Sequence, residues 1–92
     1  MHEQALMRGL VRRILEIADA EGATRVTRVR VQLGPLSHFT PDHFREHYVD
    51  ATNGTIAAGA VVDARLGEEP TANTASDVVL LELDVEVPDV PR

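Results

Sequence analysis

Two stretches of strict apolar–polar alternation restrict this chain more than anything else in it. Thr24–Leu33 places Thr27, Val29, Val31 and Leu33 on one side and Arg28, Arg30 and Gln32 on the other. Val78–Val87 places Val79, Leu81, Leu83, Val85 and Val87 on one side and Glu82, Asp84 and Glu86 on the other. A period of two is the signature of a strand, and one apolar face per strand means a sheet covered on a single side. The outward carboxylates of the last strand complement Arg28 and Arg30, which predicts that the two strands pair. Each exposed cross-strand ion pair contributes only a few tenths of a kcal/mol, up to about 1, so such pairs fix register more than stability.

The cover must come from helices. Over Gln4–Glu21, Leu6, Leu10, Ile14, Ile17 and Ala18 form one helical stripe, Glu3 suits the positive end of the dipole, and His2 is displayed just ahead of the first turn. Gly22 is the expected stop. A second helix opens at Thr40-Pro41-Asp42, with Thr40 as N-cap and Pro41 at the first helical position. Phe44, His47 or Tyr48, and Ala51 mark its inward side, and Asn53-Gly54 closes it. Gly59–Leu66 reads as a second strand, with Val62, Ala64 and Leu66 on one face. Gly67–Ser76 is polar and without period, so 67–77 is a linker. The expected fold is α+β: two helices packed on one face of a three-stranded sheet, in the order αβαββ, as a single domain over 1–92.

Composition narrows the chemistry. The chain has 92 residues and no cysteine, which excludes disulfides, thiol nucleophiles and thiolate metal sites and suits a reducing compartment. All nine basic residues are arginines, leaving no lysine for a Schiff base or a phosphate loop. A net charge of −6 argues against a nucleic-acid partner. Glu68 to Asp89 carries seven acids and no base, the pattern of a solvated flank or of a partner surface. Glu3, Arg8, Arg12 and Arg13 interrupt the N-terminus, so a signal peptide is not expected; nor is a membrane span, and the expected location is cytoplasmic.

Two groups of residues bear on metal chemistry. Met1-His2-Glu3 offers a terminal amine, an imidazole and two backbone amides within one turn. Amine and imidazole lose their protons near pH ~8 and ~6.5 respectively. Four nitrogens in a plane suit Ni(II) or Cu(II) and suit zinc or magnesium poorly. The bland alternative is a solvated terminus. His43 and His47 are four apart on the second helix and share a face, the spacing that lets two histidines take one metal ion, although no HExxH order accompanies them. Their bland reading is one exposed ring and one packed at the helix–sheet seam. Ser37 beside His38 is a turn residue rather than a nucleophile. A hydrolase built on His38, His43 and His47 lacks a supporting constellation, so an enzyme is not indicated.

Taken together, MHEQAL, ATRVTRVRVQLGPLS, PDHFREHYVDATNGT, IAAGAVV and the closing DVVLLELDVEV resemble the HypA/HybF family of nickel-incorporation factors for hydrogenase maturation. The resemblance covers most of residues 1–66 and resumes at the last strand. It implies Ni(II) held by Met1, His2 and Glu3 through amine, imidazole and backbone amides. As partners it implies a hydrogenase large subunit and the GTPase of the nickel pathway. One departure stands out. The family carries a zinc domain built on two CxxC pairs between its second and third strands, where this chain has only 67–77, so no zinc is expected. The alternative is a protein-interaction module that kept the fold without carrying metal.

Overall fold

The computed structural model describes residues 2–37, 39–67 and 78–88, with side chains of the first helix from Gln4 onward. Met1, the side chains of His2 and Glu3, His38 and nearly all of the expected linker 67–77 lie outside the described residues. The elements run α1 (His2–Ala20), β1 (Arg25–Leu33), α2 (Pro41–Thr52), β2 (Val61–Leu66) and β3 (Val78–Glu86). The order αβαββ is the one expected. The sheet order is β2-β1-β3, with β1 parallel to β2 and antiparallel to β3. β1–α2–β2 is therefore a parallel crossover unit, and β3 returns on the other edge. α1 packs over β3, α2 packs over β2, and the helices meet along their flanks.

The N-terminal boundary differs from expectation. α1 begins at His2 rather than Gln4, so His2 belongs to the first turn and does not precede it. The buried stripe is also wider: Met7 and Val11 join Leu10, Ile14 and Ala18 in the core, while Leu6 is half-buried. A helix seated between a sheet and a second helix buries a broader arc than one row of side chains. Gly22 ends α1 with φ +70°, where its N–H donates to the Asp19 carbonyl at 3.0 Å and Ala23 N–H donates to Ala18 at 2.9 Å. That pair of bonds is a Schellman closure, and the left-handed φ explains the glycine.

Two β-bulges correct the alternation. In β1 the ladder passes from Val26↔Val85 to Arg28↔Asp84, leaving Thr27 as the extra residue. The inward positions are Val26, Val29, Val31 and Leu33, with Val26 in place of Thr27. Thr27 Oγ1 instead donates to the Asp84 carbonyl at 3.2 Å. In β3 the ladder jumps from Glu82 to Leu80, and Leu81 is the extra residue. Val78, Leu80, Leu83 and Val85 pack on the core, whereas Leu81 and Val87 are about half exposed and Val79 lies off the core face. An added residue reverses which side chains face inward, and only a three-residue spacing of buried positions betrays it. In β2, which starts at Val61 rather than Gly59, Ala64 is buried, Val62 is partly buried, and Leu66 is exposed.

β1 and β3 pair as expected from their charges. Arg30 sits on the central strand and reaches both ways, to Glu82 at 2.8 Å and Asp63 at 3.2 Å. One guanidinium thus ties all three strands on the wet face.

α2 is set by its entry. Thr40 Oγ1 accepts from His43 N–H at 3.2 Å with extended backbone, Pro41 occupies the first turn, and Phe39 packs edge-on against Phe44 at 5.4 Å. That is an N-cap with a hydrophobic staple across it. Phe44, Tyr48 and Thr52 face inward; Ala51, expected inward, is exposed because the inward row advances by four from Phe44. Thr40→Ala should lower stability by about 1 kcal/mol. A urea midpoint that falls in Thr40→Ala and recovers in Thr40→Ser checks it; an unmoved midpoint would count against the cap.

Candidate functional site

The first two turns of α1 and the C-terminal half of α2 lie across a shared groove. Its walls are Gln4, Met7 and Arg8 from α1 and His47, Asp50 and Ala51 from α2, enclosing about 300 Å³. Met7 is buried and forms the apolar floor, while the remaining lining is polar or small. No sequence pattern brings Gln4 opposite His47; the crossing of the two helices does.

At the start of α1 the backbone itself is the notable feature. The first four N–H groups of a helix have no intrahelical acceptor. Since α1 begins at His2, the amides of His2 and Glu3 are in that uncommitted set. The sequence placed His2 ahead of the helix, whereas the structure places it at the positive end of the helix dipole.

On α2, His43 Nε2 and His47 Nε2 are 3.0 Å apart. This is a hydrogen bond in which one ring presents N–H and the other a lone pair. The rings cross at 69° with centroids 4.5 Å apart. Phe39 braces both, at 6.0 Å from His43 and 5.8 Å from His47. His43 is exposed and His47 partly buried. Phe39 went unnoticed in the sequence, although its positions relative to the pair (39, 43, 47) continue one spacing of four. Asp42 does not join them, because its carboxylate takes Arg45 at 2.9 Å. Among the described residues no three His, Cys, Asp or Glu side chains gather where a metal could sit.

Ser37 is spent structurally. It is buried, its hydroxyl donates to the Gly34 carbonyl at 2.7 Å, and it turns the chain toward Phe39. The segment after α2 is anchored from below: Tyr48 O–H donates to the Ala57 carbonyl at 2.9 Å, and Val26 N–H donates to Ile56 at 2.9 Å. Ala57 is fully buried, so that stretch of IAAGAVV is small for a packing reason. Burial pushes the Tyr48 hydroxyl pKa up from 10.0 to about 12.

The sequence profile of the family described as "Hydrogenase/urease nickel incorporation, metallochaperone, hypA" matches residues 1–72. The chain belongs to the HypA family. The hydrogenase maturation factor HypA of Rhizobium leguminosarum bv. viciae is 35% identical over 94 residues, spanning 100% of this chain and 83% of that protein. HypA of Thermococcus kodakarensis is 43% identical over 63 residues, spanning 68% of this chain but 45% of that protein. HypA of Archaeoglobus fulgidus is 35% identical over 63 residues, 57% of its length. Against these archaeal relatives the HypA match therefore spans about half their length. The solution structure of the Ni metallochaperone HypA from Helicobacter pylori shares the fold with a TM-score of 0.77 at 17% identity, covering 96% of this chain and 100% of that one. The family is one of metallochaperones, not of enzymes. Among the described residues no helix is long and apolar enough to cross a membrane.

Proposed function

We propose that this HypA-family chain binds Ni(II) through the Met1 amine, the His2 imidazole and the backbone amides of His2 and Glu3, and carries it to an acceptor protein. The supporting observation is that α1 opens at His2, which leaves those amides without helical partners in a chain whose family is one of nickel incorporation. Four nitrogens of this kind favour a planar arrangement and hence Ni(II) or Cu(II). A five-membered chelate between successive backbone nitrogens needs a nearly eclipsed ψ, which a helical residue does not have. Loading therefore unwinds the first turn, and release lets it re-form. Nickel displaces protons from amine and amides, so affinity rises with pH.

The acceptor in this reading is a hydrogenase large subunit, served together with the GTPase of the nickel pathway in the cytoplasm. The whole of 1–92 acts as one nickel-binding domain, with 67–77 in place of a zinc domain. With no cysteine in the chain, that stretch has no thiolate to offer zinc.

The test is Ni(II) titration by calorimetry and absorbance into protein carrying its native Met1 amine. His2→Ala, and separately a residue added before Met1, should each weaken binding by at least about tenfold, the scale at which even an outer support of a metal site is felt. Unchanged affinity in both variants would sink the reading and favour a HypA-like interaction module that carries no metal.

A further inference from the structure

We propose that His43 and His47 form a second, bidentate site on α2 for a divalent ion that favours tetragonal nitrogen coordination, Cu(II) or Ni(II). This site stands independently of the N-terminal one. The spacing of the two nitrogens is compatible with a shared ion. With metal–nitrogen bonds of about 2.0–2.1 Å, two Nε2 atoms 3.0 Å apart subtend roughly 95° at a shared metal. That is close to the cis angle of a square-planar or octahedral ion, whereas a tetrahedral ion would hold the nitrogens about 3.3 Å apart. The preference for Cu(II) or Ni(II) follows from their affinity for imidazole nitrogen, with Cu(II) the stronger.

Preorganisation is the second argument. Phe39, itself buried, lies against both rings and is locked in turn by its edge-on contact with Phe44. The imidazoles are confined beside one another before any ion arrives, so binding requires a ring rotation but little further loss of side-chain freedom. The metal replaces a proton bridge. The Nε2–H that links the rings is given up, the ring re-protonates at Nδ1, and both Nε2 lone pairs turn to the ion.

The open side of the site explains what else it does. Two histidines leave at least two positions of a tetragonal ion unfilled, and no third described side chain gathers on them. Of the two ligands, His47 also lines the groove whose opposite wall is Gln4, Met7 and Arg8. Asp50 and Arg8 line the same groove and carry opposite charges. An ion here is held loosely and remains available for exchange.

Cu(II) is the sharper probe, because the same nitrogen site binds it more tightly than nickel. The unsubstituted protein with its Met1 amine free should take up two equivalents in a calorimetric titration. His43→Gln and His47→Gln, both substitutions on exposed or half-exposed positions, should each remove one equivalent or weaken it by at least about tenfold, while His2→Ala removes the other. Substoichiometric Cu(II) should broaden the ring resonances of His43 and His47 in the His2→Ala protein. If His43→Gln and His47→Gln bind as many ions as the native chain with unchanged affinity, the pair is only a hydrogen bond and the proposal is wrong. Loss of an equivalent in His43→Gln with none lost in His2→Ala would uphold this site and overturn the N-terminal one.

Discussion

Phe44→Ala should destabilise the protein by about 3–5 kcal/mol, the range for removing a fully buried aromatic ring. Phe44 has no exposed surface and packs on Phe39 at 5.4 Å and on Tyr48 at 6.3 Å. Domains of this length are stable by roughly 5–14 kcal/mol in total, so one ring carries a large fraction of the margin. At a urea dependence of about 1–3 kcal/mol per molar, the midpoint should fall by one molar or more. The damage should also travel: without Phe44 the staple loosens, Phe39 loses its anchor, and the His43–His47 rings lose their brace. Phe44→Leu, which keeps most of the volume, should cost less than about 1.5 kcal/mol. A midpoint shift in Phe44→Ala below a few tenths molar would show that the ring is not in a closed core.

The second large effect is alkaline. The Tyr48 hydroxyl is fully buried, donates to the Ala57 carbonyl, and has its pKa raised from 10.0 to about 12 by desolvation. Between those values the unfolded chain has lost the phenol proton while the folded chain keeps it. The folded state binds more protons, so stability is complete below pH 10 and falls as pH rises toward 12. Two pH units correspond to about 2–3 kcal/mol. This chain isolates the effect unusually well. It has no lysine, no cysteine, no tryptophan and one tyrosine, so no other side chain titrates in that window and phenolate absorbance reports Tyr48 alone. Tyr48→Phe should lose about 1 kcal/mol at pH 8, from the missing hydrogen bond, yet be nearly flat from pH 10 to 12. Equal alkaline slopes in the two proteins would refute a buried, neutral Tyr48.

Much of this architecture was legible in the residues. The αβαββ order, the Thr40 cap, the Gly22 stop and the pairing of the arginine-bearing strand with the acidic one all follow from local chemistry. The bulges did not, because Thr27 and Leu81 fit an unbroken alternation as well as their neighbours do. Only the partner strand, by opposing two residues with one, decides that Val26 and Leu80 turn inward. Met7 and Val11 were missed for a related reason: the width of a helix's buried arc is set by what surrounds it, and α1 has two neighbours. The candidate site divides in the same way. His43 and His47 announce themselves by spacing, and His2 by resemblance. Phe39 as a brace and Gln4 across from His47 require the packed molecule.

The sheet register has a bearing on how such a chain tolerates change in length. Leu66, where β2 ends, and Val78, where β3 begins, both stand beside Leu33 of the central strand. With strands about 4.8 Å apart, the two ends of the intervening segment are roughly 10 Å from one another, on the same rim of the sheet. The register of all three strands is fixed without reference to what joins those two points. Closing a flexible connection costs only about 0.6 kcal/mol more for each doubling of its length. The rim beside Leu33 therefore works as a socket, one that accepts an eleven-residue strap or an independently folded insert at nearly equal expense to the rest of the fold.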